Sequence, residues 1–241
     1  AQPDHVQAHS NLGVIYKNQG NIDAALGHYS EALRIAPNRP MSLYNLANLL
    51  LDTGRLDEAI STMKRVTDLA PNFSDAHYNL ANAYLQKSDF PASIASFGRA
   101  IDINPTYANA HFNQSTALFG NDDLKGAWLA YEWRWKTDDF KGLYPQDPSN
   151  EWSPGTKRNT LVWAEQGIGD EILFASMLPE FNDLCESLTV SVDERLIPLF
   201  RRSFDSNIAY TARHASSQER DIGVFGAHDF DAHIPMGSLA R

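Results

Sequence analysis

The sequence predicts an α-solenoid of stacked helical hairpins followed by a partial parallel α/β domain. Three observations predict it. Pro3, Pro37, Pro71 and Pro105 recur at one constant interval, which matches the period of roughly 34 residues seen in stacked helix–turn–helix units. Small and large apolar residues keep the same period between them. From Thr160 onward the texture changes to short apolar runs alternating with helical stretches, the pattern of a parallel sheet.

The repeats come first. Ala25, Ala59 and Ala127, with Ser93 at the third station, recur with the prolines, and Tyr29, Met63, Phe97 and Tyr131 follow at the same offset from them. Upstream, His9-x-x-Leu12-Gly13-x-x-Tyr16 is echoed by Leu43-x-x-Leu46-Ala47-x-x-Leu50 and His77-x-x-Leu80-Ala81-x-x-Tyr84. Small residues at Gly13, Ala47 and Ala81 let one helix of each hairpin approach the other. Gly20 and Gly54 suit a turn that needs positive φ, and each periodic proline falls where a helix has ended. This pattern resembles the tetratricopeptide repeat. It predicts an array over residues 1–140, with repeats near 6–39, 40–73 and 74–107 and a degenerate one at 108–141. In the last repeat Gln114, Ser115 and Arg134 occupy core stations. Its aromatic helix, Ala127 to Trp135, is expected to join the next domain. His9, His77 and His111 keep a repeat station and are expected to pack there.

Asn11, Asn45, Asn79 and Asn113 keep the interval of the prolines. They fall one position before the apolar station on the first helix of each hairpin, on the side expected to face the concave groove. A carboxamide offers both a donor and an acceptor, matching a peptide backbone. The row is therefore a candidate ladder for an extended peptide, with Tyr44 and Tyr78 beside it for side-chain packing. The competing reading is that these asparagines bond within or between helices. A similar ladder marks the repeat array of O-linked N-acetylglucosamine transferase, which this half resembles. A clamp for carboxylates would need several cations, and Lys17 is nearly alone.

Residues 141–158 form the expected connector, rich in proline and glycine and anchored by Trp152. Residues 159–241 then read as part of a Rossmann-like domain. Thr160–Ala164 is the first strand, a helix follows from Glu171 to about Ser187, and Leu188–Val192 is the second strand. Glu194–Phe204 reads as a helix, with strands at Asn207–Thr211 and Phe230–Ile234. Gly167 and Gly169 sit after the first strand, where such sheets bind ligands. Ile172 at the third glycine position and the acidic pair Asp170-Glu171 argue against a dinucleotide site.

The segment from Trp163 to Pro179 resembles bacterial tetratricopeptide-repeat glycosyltransferases, whose catalytic part is akin to lipopolysaccharide heptosyltransferases. Glu132–Trp135, Arg195–Phe204 and His233–Leu239 look like theirs as well. The resemblance implies a GT-B fold, a nucleotide-sugar donor and a catalytic base at Asp170, although the following proline is more distant here, at Pro179. Gln166, Gly167 and Gly169 are then candidate substrate-binding residues. Asp170 is also a natural helix-capping residue, and one side chain can serve both ends.

The 241 residues carry 20 Lys plus Arg and 30 Asp plus Glu, a formal charge of −10. That balance argues against nucleic acid, and the absence of a long apolar run argues against a membrane span. The single cysteine, Cys185, excludes an internal disulfide and a cysteine-based zinc site. The His228–His233 segment is not expected to hold a metal. Opening at Ala1 and ending at Arg241, the chain is expected to be a piece of a longer, cytoplasmic protein lacking the donor-binding half. It is expected to be inactive alone and to act as the acceptor-side portion of a glycosyltransferase modifying protein Ser or Thr. The alternative is a non-enzymatic scaffold whose α/β part is vestigial.

Overall fold

The computed structural model describes residues 3–140, 150–213 and 230–239. The chain divides into two compact units, Ala1–Arg134 and Trp135–Arg241.

The first unit is a stack of four helical hairpins. These are α1 (Pro3–Asn18) with α2 (Ile22–Ile35), α3 (Pro40–Asp52) with α4 (Leu56–Leu69), α5 (Ser74–Gln86) with α6 (Phe90–Ile103), and α7 (Ala108–Gly120) with α8 (Leu124–Tyr131). The tight intra-hairpin turn has one residue at positive φ, Gly20 at 74° and Gly54 at 73°. In the later repeats Ser88 at 58° and Asp122 at 60° fill the same station. The next residue caps the second helix through its side chain in three of the repeats, as Asn21, Asp89 and Asp123. Arg55 at the second repeat makes no such bond.

Packing follows the period. Leu43, Ala47, Met63, Val66, Ala76 and Leu80 form one buried cluster across the second and third repeats. Ala81, Phe97, Ala100 and Ala110 form the next. A Cβ at Gly13 would lie 2.4 Å from the buried Tyr29 ring, so the glycine there is a matter of close helix approach. Ser93 satisfies its buried hydroxyl by donating to the Ala81 carbonyl at 2.9 Å. His77 and His111 donate Nε2–H to the carbonyls of Pro71 and Pro105 at 3.0 and 3.1 Å, tying these two periodic prolines to the helices after them. His9 instead meets His28, Nδ1 to Nδ1 at 3.0 Å. In the fourth repeat the helix expected through Trp135 ends at Tyr131 and continues as a 3-10 turn, Glu132–Lys136. There Arg134 is fully buried, paired with Glu132 at 2.7 Å and set over the Tyr131 ring.

The second unit holds a four-stranded, all-parallel sheet in the order β3-β2-β1-β4. Its strands are β1 (Asn159–Trp163), β2 (Ser187–Val192), β3 (Ala209–Ala212) and β4 (Ala232–Pro235). The helix expected from Glu171 to Ser187 is two short ones, α9 (Ile168–Ala175) and α10 (Leu178–Asn182). Pro179 has no N–H for a continuous ladder and falls instead in the first turn of α10. The next helix, α11 (Ile197–Ser203), starts later than expected, with Pro198 in its first turn. Trp152 is anchored by its backbone N–H on the His233 carbonyl, at 2.9 Å, and by its ring against Phe181.

Candidate functional site

Two regions gather the candidate residues. The first is the inner wall of the repeats. Consecutive first helices touch one another, α1 with α3, α3 with α5 and α5 with α7. The second helices do not approach each other as closely, so the first helices line the concave side.

Along this wall the four asparagines of the ladder differ. Asn79 donates both hydrogens of Nδ2 back to the preceding repeat, to the Tyr44 hydroxyl at 3.0 Å and Asn48 Oδ1 at 2.8 Å. Asn113 repeats the arrangement with the Tyr78 hydroxyl at 2.9 Å and Asn82 Oδ1 at 3.2 Å. Tyr44 and Tyr78 are thus tied into the seam between repeats, where they also pack on Phe73 and Tyr107. Asn11, on the exposed first helix, accepts from Gln7 Nε2 at 2.8 Å. Asn45 is half-buried and makes no side-chain hydrogen bond among the described residues. Asn48 and Asn82, absent from the expected ladder, are separated by the same interval as its members, and that spacing was the signal that could have found them.

The second region is the C-terminal edge of the parallel sheet. β1 runs into Ala164, Glu165, Gln166 and Gly167, and α9 begins at Ile168. Gly167 has φ −77° and ψ 168°, an extended conformation open to any residue. A Cβ at Gly167 would meet only Asp170 Oδ2 at 3.6 Å, and one at Gly169 nothing within 4 Å. Neither glycine is therefore demanded by packing among the described residues. Asp170 is not the N-cap expected for it: Gly167 is the N-cap of α9, and Asp170, at the third helical position, reaches back so that its Oδ2 accepts the Gly167 N–H at 3.2 Å. Its Oδ1 makes no hydrogen bond among the described residues.

Around the turn lies a charge network. Glu171, only 1% exposed, accepts the Asp193 N–H at 2.8 Å and pairs with Arg213 at 3.1 Å. Burial pushes the Glu171 carboxyl up, against the pull of the Asp193 amide and Arg213. Asp193 accepts a two-pronged contact from Arg195 at 2.9 and 3.0 Å, which holds its carboxyl well below the usual range. Arg213 also donates to the Gln166 carbonyl at 2.9 Å. The network therefore joins the ends of β1, β2 and β3. On the other side Glu165, 2% exposed, accepts the Gly237 N–H at 3.1 Å and so joins β1 to the turn after β4. Arg213 carried no motif in the sequence; only the parallel pairing of β2 and β3 brings it here. His228 lies outside the described residues.

Comparison with known proteins agrees with the hairpin geometry. Models of the tetratricopeptide repeat match residues 4–72, 44–108 and 78–148. The chain carries a tetratricopeptide-repeat array. Protein FlbA of Caulobacter vibrioides is 37% identical over 86 residues, 32% of this chain and 14% of that protein. The chain thus spans about one seventh of that relative's length. A crystal structure of MamA protein is 25% identical with a TM-score of 0.53, covering 55% of this chain and 73% of that one. An O-GlcNAc transferase of Thermobaculum terrenum has the same TM-score at 19% identity, covering 86% of this chain and 41% of that one. YrrB, described as a repeat protein with an unusual peptide-binding site, is 17% identical with a TM-score of 0.50, covering 54% of this chain and 68% of that one. At these last two identities the likeness is one of fold.

The array makes this chain a protein-interaction module. Among the described residues no helix is long and apolar enough to cross a membrane.

Proposed function

We propose that the chain is the acceptor-side portion of a glycosyltransferase, in which the repeat groove holds a protein substrate and Asp170 receives the proton of its Ser or Thr hydroxyl. One observation carries this reading. An open backbone turn bearing a carboxylate oxygen without a partner among the described residues stands at the C-terminal edge of an all-parallel sheet, where strand order reverses between β1 and β4. Ligands of open parallel sheets bind at that position, and the order β3-β2-β1-β4 matches four strands of the doubly wound nucleotide-binding arrangement. The fold likeness to an O-GlcNAc transferase, which extends over 86% of the chain, supports the same reading.

The chemistry assigned to the site is a displacement. Asp170 Oδ1 accepts the acceptor hydroxyl proton while the hydroxyl oxygen bonds to the anomeric carbon. The bond from that carbon to the nucleotide's phosphate oxygen breaks, and its electron pair leaves with the nucleoside diphosphate. The contact from Gly167 to Oδ2 restrains the carboxylate and leaves Oδ1 without a hydrogen bond among the described residues. Gln166, Gly167 and Gly169 are the surface offered to substrate, and the donor is a nucleotide sugar.

A scaffold without turnover is the second reading. It is favoured by the same Gly167–Asp170 contact, which gives Asp170 a structural role. The test is transfer of labelled sugar from nucleotide-sugar donors to Ser/Thr-containing protein by the natural protein that carries these residues. Asp170→Asn is expected to lower transfer by about 100-fold or more while leaving acceptor binding intact. Undiminished transfer removes Asp170 as the base, and absence of transfer from every donor leaves the scaffold.

A further inference from the structure

The turn that carries Asp170 is held by one side chain from another strand. Arg213 directly follows β3 and is fixed there by its backbone N–H, which donates to the Val192 carbonyl at 2.7 Å. From that anchor its half-buried guanidinium reaches two points. Nη1 donates to the Gln166 carbonyl at 2.9 Å, and Nη2 pairs with Glu171 at 3.1 Å. Asp193, at 3.7 Å from Nη2, is a more distant third neighbour. Gln166 and Glu171 stand just before and just after the segment Gly167–Asp170. One planar group therefore clasps both ends of that segment.

The first contact bears on Asp170 through a single peptide. The Gln166–Gly167 unit is trans and planar, so its C=O and its N–H point to opposite sides. Arg213 holds the oxygen end at 2.9 Å, and Asp170 Oδ2 accepts from the N–H end at 3.2 Å. Fixing the carbonyl thus aims the N–H, and a cation on the carbonyl polarises the same amide into a better donor. The second contact supplies an opposite charge to Glu171, which is 1% exposed and costly to leave ionised without a partner. A lysine could supply that charge, but a compact ammonium lacks the rigid fork that reaches both points at once.

We infer that Arg213 is a positioning residue, which fixes the plane of the Gln166–Gly167 peptide and through it the presentation of the Asp170 carboxylate. Its consequence for catalysis rests on the glycosyltransferase reading of the turn, whereas the clasp on the peptide does not. The two contacts of the guanidinium divide its roles. The Glu171 pair serves the stability of the sheet edge, and the Gln166 contact serves the geometry of the turn.

Two variants separate these roles. Arg213→Lys keeps a cation beside Glu171 and gives up the fork. Arg213→Met combined with Glu171→Gln removes both charges, while the glutamine oxygen can still accept the Asp193 N–H that Glu171 accepts. The first readout is exchange of the Gly167 amide proton with water, measured by NMR on the full chain labelled with nitrogen-15. Both variants are expected to speed that exchange by about 10-fold, with the amides of Leu161 and Val162 in β1 unchanged. Unchanged exchange at Gly167 in both variants overturns the inference. Equal acceleration at Gly167 and throughout β1 also overturns it, because Arg213 would then act on the whole sheet and not on the turn. The second readout is sugar transfer by the natural protein that carries these residues. Arg213→Lys is expected to lower kcat by about 10–100-fold with the acceptor KM unchanged. An unchanged kcat beside faster Gly167 exchange overturns the link from the clasp to Asp170. Absence of transfer in the wild type overturns the glycosyltransferase reading, and the amide exchange still decides the clasp.

Discussion

At the scale of single residues, two glycines in this chain do opposite things. Gly13 faces the buried Tyr29 ring so closely that any side chain must displace it. Gly13→Ala is therefore expected to destabilise the first repeat by about 1–3 kcal/mol, the usual cost of overpacking, read as a lowered midpoint in urea. Gly169 has open space where its Cβ would lie and sits in the first turn of α9. Gly169→Ala is expected to leave stability equal or raise it by up to about 1 kcal/mol, and to impair substrate binding if the turn contacts substrate. The pair separates a glycine that packing requires from one that packing among the described residues does not. The sequence motif containing Gly167 and Gly169 was legible, but their conformation was not. Gly167 is extended, so its absent side chain matters for space and not for φ.

Each helical hairpin turns on two adjacent stations, one at positive φ and one at the helix N-cap. No repeat but the first fills both well. Gly20-Asn21 has the permissive residue and the cap. Gly54-Arg55 has the glycine and lacks the cap, and Arg55 instead forms an exposed pair with Glu58, worth little in water. Ser88-Asp89 and Asp122-Asp123 have the cap but hold a side chain in the left-handed region. Ser88→Gly is expected to stabilise the protein by about 1 kcal/mol, and Arg55→Asn by about 0.5–1 kcal/mol. Both are measured as shifts in thermal or urea unfolding, and a loss of stability in either would contradict this account of the turn. The positive-φ turns at Gly20 and Gly54 could be read from the sequence because turn chemistry is local. The early end of α8 and the break between α9 and α10 were not legible, since aromatic and apolar runs through Trp135 and Ser187 carry no local stop strong enough to be decisive. Pro179 marked the second break, and a proline can also sit inside a helix start.

For the molecule as a whole, the two units answer to different forces. The repeats rest on apolar contacts renewed at every hairpin, with few buried charges among the described residues. The sheet edge of the second unit concentrates Glu165, Glu171, Asp193, Arg195 and Arg213 instead. Its pH response follows from the shifts there. Glu171 is raised by burial, so its contribution is present below the unfolded value near 4.5 and is lost as pH rises through the folded one. Asp193 is lowered, so its contribution is present above the unfolded value and is lost as pH falls. Glu171→Gln resembles the protonated form, and its stability relative to wild type is expected to improve from pH 4 to pH 7 (about the range set by an ordinary carboxyl rising from its usual value). Melting curves of both proteins across that range check it, and a constant difference would exclude ionisation of Glu171 as the cause. The sequence by itself determined the repeat period, the parallel α/β pattern, the glycine turn and the candidate ladder, because each is written in residues near one another or at a fixed spacing. Only the tertiary structure decided which ladder asparagines have hydrogens to spare and that Arg213 closes the charge network beside Asp170. Those depend on which side chains meet across helices and strands, and hydrogen-bonding capacity is a property of the meeting, not of the residue alone.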